Sequence, residues 1–105
     1  MTTLAELIPV LLEKTYARKL AWEKLGQNSY IASLGSTSLE IGTTKSGETQ
    51  LMVRNEAGDV VERETYMNLP NPFDHQLNEL LIAAQRRALK TDEALDDIKK
   101  RLQDL

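Results

Sequence analysis

Cysteine is missing from this chain, histidine occurs once, and neither sign of charge runs to excess. The lack of cysteine excludes disulfides, thiolate nucleophiles and thiolate metal ligands. It says nothing about compartment. The single histidine rules out the paired-histidine spacings of common metal sites. The five glycines are isolated, and none builds the glycine-rich loops that cradle phosphates. No apolar run approaches the roughly 20 residues needed to span a bilayer, so no membrane segment is expected. Thirteen basic residues face sixteen acidic ones, a formal net charge of −3. A nucleic-acid binder usually shows a basic surplus, which this balance does not offer.

What is present describes one small globular domain. The chain has 105 residues, 41% hydrophobic and 28% charged. That mixture buries a core and argues against general disorder. No positive charge precedes the first apolar stretch, and Glu6 and Glu13 interrupt it. This is not the pattern of a secretory signal, and the expected location is the cytoplasm.

Hydrophobic periodicity divides the chain into three zones. Residues 3–20 read as a helix, with Thr3 and Glu6 at capping-box spacing and Leu4, Leu7, Ile8, Leu11, Leu12 and Tyr16 at helical spacing. Pro9 predicts a kink or a later start. Over residues 20–66 turn clusters recur, and short runs with strand character lie between them. These are Leu20–Lys24, Tyr30–Leu34, Ser38–Thr44, Thr49–Arg54 and Asp59–Thr65. Turns this short favour an antiparallel meander. In the last hairpin, Asn55-Glu56-Ala57-Gly58 suits a type I turn with Gly58 left-handed. That register pairs Asn55 with Asp59 and Val53 with Val61. Leu51, Val53 and Val61 would then share one face, and Gln50, Arg54, Glu62 and Glu64 the other, with Arg54 diagonal to Glu62. Residues 67–73 are a breaker linker around Leu69-Pro70-Asn71-Pro72.

Two helices follow, over 74–90 and 92–104. Asp74 is the expected cap of the first, whose stripe is Leu77, Leu80, Leu81, Ala84 and Ala88. The second carries Leu95, Ile98, Leu102 and Leu105. The predicted class is therefore α+β: an N-terminal helix, a five-stranded antiparallel meander, and two C-terminal helices packed on one sheet face.

Few residues suggest chemistry. His75 is the only histidine, and general bases and metal ligands are most often histidines, but its place beside Asp74 at a helix start predicts a solvent-facing first-turn residue. Asp92, Glu93, Asp96 and Asp97 lack the loop and glycine of a calcium site. They read instead as acids complementing a helix dipole whose other end bears Lys99, Lys100 and Arg101, with Asp96–Lys100 an i,i+4 pair. Lys14, Arg18, Arg86 and Arg87 form a candidate basic patch, with Lys19 and Lys90 nearby. Trp22 and Tyr30, on adjacent strands, offer either a stacking platform for single-stranded RNA or two core rings. Trp22, Tyr30, Tyr66 and His75 are a candidate pocket between helices and sheet.

The reading is of a non-catalytic protein-interaction or regulatory module without cofactor or metal, forming a homodimer or binding another protein. A nucleic-acid-associated regulator and a small-ligand binder are the alternatives. Helix 1 is apolar around nearly half its circumference, more than a thin sheet needs. Leu95, Ile98, Leu102 and Leu105 make the narrow stripe of a helix that pairs with another helix. That partner is either a second chain or the preceding helix.

Overall fold

The computed structural model describes residues 1–105 and has the expected order of elements. Helix α1 (Leu4–Tyr16) leads into strands β1 (Glu23–Lys24), β2 (Ser29–Leu34), β3 (Thr37–Thr43), β4 (Thr49–Arg54) and β5 (Val60–Thr65). A 3-10 turn (Tyr66–Asn68) then precedes helices α2 (Phe73–Ala88) and α3 (Thr91–Gln103). The strands form one antiparallel meander in the order β1-β2-β3-β4-β5. No helix is long and apolar enough to cross a membrane.

Helix α1 starts where its capping signal lies. Thr3 Oγ1 accepts from Glu6 N–H, and the Glu6 carboxylate accepts from Thr3 N–H, both at 3.3 Å. Pro9 lies within the helix and does not delay its start. The helix stops at Tyr16 rather than at residue 20, because Arg18 takes a left-handed φ of 60°. Arg18 N–H then donates to Thr15 C=O and Lys19 N–H to Lys14 C=O, which closes the last turn. The chain thus leaves the helix before Leu20 and Trp22, which are buried from a loop. Only Glu23 and Lys24 of the expected first strand pair with β2.

Two cross-strand rows line the inner sheet face. Tyr30, Ile41 and Leu51 stand opposite one another, as do Ala32, Leu39 and Val53. Ile41 and Leu51 are fully buried. Helix α2 packs across β1 to β4 and alongside α1. It contributes Leu77, Leu80, Ala83 and Ala84 to a core completed by Leu4, Ile8, Leu11 and Leu12 of α1. At ~25 cal/mol per Å² of apolar area, burial of this kind is the main stabilising term. Gly42 is required within β3 opposite Ser29, since a Cβ there would meet Asn28 O at 2.5 Å.

The β4–β5 hairpin corrects the expected register. Gly58 has the left-handed φ expected of it, 88°, and Asn55 N–H donates to Asp59 C=O at 3.0 Å. A bulge follows at once. Arg54 pairs with Val60 but Val53 with Glu62, so Val61 is the extra residue. From there Glu62 and Glu64 stand opposite Val53 and Leu51, on the face assigned from sequence to Val61, and Val61 is exposed. Arg54 donates not to Glu62 but to Glu40 (Nε–Oε1, 3.1 Å) and to Gly58 C=O. On the outer face Met52 is buried beneath Arg63, whose Nη2 lies 3.6 Å from its sulfur.

The C-terminal region differs in detail. The linker is anchored by buried Leu69. Helix α2 begins at Phe73 with Pro72 at its N-cap, so Asp74 is a first-turn acid, accepting from His75 N–H. Lys90, at φ 53°, ends α2 in the left-handed region. Helix α3 then starts at Thr91 and ends at Gln103, without a buried residue. It joins the body through α2, and the molecule is drawn out to 53 × 31 × 28 Å.

Candidate functional site

The candidate aromatic pocket does not assemble. Trp22 and Tyr30 are both core residues. The Trp22 indole N–H donates to Thr15 Oγ1 at 2.9 Å, and that hydroxyl donates to Leu11 C=O at 2.7 Å. This chain of hydrogen bonds satisfies the indole N–H that buried Trp22 brings inside. Tyr66 and His75 meet edge to face at 6.2 Å, and neither belongs to the buried core cluster that holds the other two rings. His75 is solvent-facing in the first turn of α2, with its Nε2 3.9 Å from Asp74.

The basic patch assembles in part and is neutralised. Arg18, Arg86 and Arg87 converge where α1, α2 and α3 meet, in a small cleft also lined by Asp92 and Glu93. Arg86 pairs with Asp92, and Arg87 with Glu93 at 3.3 Å. Arg18 lies within 4.0 Å of both acids. The acids read as dipole partners of α3 thus also clamp its first turn to the two preceding helices. Each pair is partly exposed and worth little alone, but the network fixes the direction in which α3 leaves. Further along α3, Asp97 and Arg101 form the i,i+4 pair at 2.9 Å, rather than Asp96 and Lys100. Lys14 stands apart from this cluster.

Tyr16 ties α1 to α2. Its hydroxyl donates to Glu79 Oε1 at 2.8 Å. Partial desolvation, that hydrogen bond and the Glu79 charge together hold the phenol above the usual tyrosine range.

Two apolar surfaces remain uncovered. One is a groove of about 510 Å³ between α1 and the end of the sheet where β2 turns into β3. Leu7, Val10 and Leu11 form one wall, and Leu34, Leu39 and Val53 the other. Leu20 lies between them, and Lys14 and Lys19 supply the positive charge. Glu62 stands opposite Val53 at this end of the sheet. The second surface is the stripe of α3, where Leu95 and Ile98 are each 52% exposed and Leu102 63%. Leu105 continues it at the chain end. The stripe does not fold back along α2, so the within-chain pairing of the two helices does not occur.

Sequence reasoning singled out the stripe but not the groove. The signal for the groove was the surplus apolar circumference of α1, where Leu7 and Val10 lie outside the buried set. Leu34 was unreadable, because its face depends on where the β2–β3 hairpin sits beneath the helix. Comparison with protein-family models, with curated proteins and with solved structures gives no match.

Proposed function

We propose that this chain is a non-catalytic protein-interaction module that self-associates. The observation that carries the reading is α3: a 13-residue helix with no buried residue and an apolar stripe at three- and four-residue spacing. Such a stripe is unfavourable in water and is the usual mark of a helix that pairs with another surface. Closed two-fold dimers are the commonest arrangement that buries it. The nucleic-acid alternative is weakened by Asp92 and Glu93, which occupy the arginines that would meet phosphate. The aromatic-pocket alternative is weakened by the core placement of Trp22 and Tyr30.

Light scattering on the purified full chain tests the proposal. The expected mass at tens of micromolar is that of a dimer. A monomer at that concentration refutes it.

A further inference from the structure

We propose that the groove between α1 and the sheet binds a single-chain aliphatic carboxylate, its tail along the leucine and valine walls and its head at Lys14 and Lys19. The site is separate from the α3 stripe and goes beyond the self-association reading. Neither depends on the other. The groove has the size and lining of a small-molecule site. Its volume is about 510 Å³, inside the range of about 300–1,000 Å³ usual for such ligands. Leu11, Leu20 and Leu39 are the buried part of its lining, and Leu7, Val10 and Leu34 the exposed part. Water against these side chains is unfavourable, and an apolar chain laid along them displaces it.

The polar groups select the head. Only Lys14, Lys19 and Thr37 interrupt the apolar lining. Thr37 Oγ1 already donates to Leu34 C=O at 3.0 Å. Neither lysine forms an ion pair within the chain. No acid lines the groove, and Glu62, opposite Val53, lies outside the lining. An ammonium group donates and cannot accept, so it calls for an acceptor head. Two uncompensated positive charges call for that acceptor to be an anion. The lysine stems cover apolar surface while their charged ends reach water, which suits a head at the rim and a tail inside. An extended peptide fits less well, because its N–H donors would meet no acceptor there except Thr37 Oγ1.

Backbone geometry sets the ligand's direction and length. Lys19 N–H donates to Lys14 C=O at 2.9 Å, so the two lysines stand together where α1 ends. Leu7 lies two helical turns earlier, about 11 Å away along the axis. The charge is therefore at one end and the apolar wall runs away from it. An extended chain advances ~1.2 Å per bond, so about nine bonds cover that distance. Decanoate, with a ten-carbon chain, is the matching probe.

Calorimetric titration of the full chain with sodium decanoate, kept below its micelle concentration, tests the site. Decyltrimethylammonium, with the same tail and the opposite charge, is the control. One decanoate should bind per chain, at least about tenfold more tightly than the cation. Lys14→Gln combined with Lys19→Gln keeps most of both stems and should abolish that preference. Val10→Glu puts a negative charge on the apolar wall and should weaken decanoate at least about tenfold. Leu34→Glu makes the same test from the opposite wall if Val10→Glu alters the thermal melt. Absence of saturable decanoate binding overturns the inference. So does equal affinity for the two ions, or decanoate binding that survives the groove substitutions. Sedimentation with phosphatidylglycerol vesicles, without binding of free decanoate, also overturns it and gives the groove to a membrane surface. Light scattering keeps the two readings apart. A monomer that binds decanoate refutes self-association alone, and a dimer that does not bind it refutes this site alone.

Discussion

Helices α2 and α3 follow one another with only Leu89 and Lys90 between them, and both are amphipathic. Yet α2 buries Leu77, Leu80, Ala83 and Ala84, while α3 buries nothing. The difference lies not in their apolar content but in what each stripe meets. Helix α2 crosses four strands and runs against α1. Helix α3 is turned away at left-handed Lys90 and held by charged side chains at its first turn. A helix's periodicity shows that it has an apolar face. It does not show whether the same chain covers that face.

The largest difference should come from shortening one side chain on each helix and comparing the two costs. Leu80→Ala opens a cavity at a fully buried position and should cost about 2–5 kcal/mol in chemical denaturation. Ile98→Ala should change monomer stability by no more than ~0.5 kcal/mol, measured at a concentration low enough to hold the chain monomeric. Equal costs would break the contrast, because they would require α3 to be packed within the chain.

A smaller loss is expected from Thr15→Val, which tests how firmly α1 and the β1 approach are joined to the body that α2 completes. It leaves the Trp22 indole N–H buried without an acceptor and should cost about 1–3 kcal/mol. Trp22 fluorescence should report the loosened packing in the same melt. An unchanged midpoint would show that the indole finds another partner.

A gain rather than a loss is expected at the joint itself. Lys90→Gly removes the steric penalty of a left-handed Cβ and should stabilise the fold by up to about 1 kcal/mol in thermal melts. A loss of stability instead would mean that the lysine side chain contributes to directing α3.

The sheet was legible from sequence to a degree that followed local chemistry. Gly58 was readable because a positive φ is nearly costless only for glycine, and the turn chemistry of Asn55 to Gly58 demands one. The alternation of Leu39 and Ile41 with Ser38 and Glu40 placed β3 correctly against the core. The bulge at Val61 was not readable, because its cause is the fit of two strands and not a residue type. One extra residue moved Glu62 and Glu64 to the other face. The end of α1 was missed for a similar reason: left-handed Arg18 carries no glycine to announce it.

The candidate site divides along the same line. By itself the sequence determined that Leu95, Ile98 and Leu102 lie on one helical stripe, because 3.6 residues per turn allows nothing else. It also determined that arginines would gather at helix C-termini, where the dipole favours them. Only the tertiary structure decided that Arg18, Arg86 and Arg87 meet Asp92 and Glu93, that Trp22 and Tyr30 turn inward, and that Leu7, Val10 and Leu34 face one another across an open groove. Those outcomes depend on which elements touch, and contacts between distant segments are set by the joint packing of helices and sheet rather than by any local pattern.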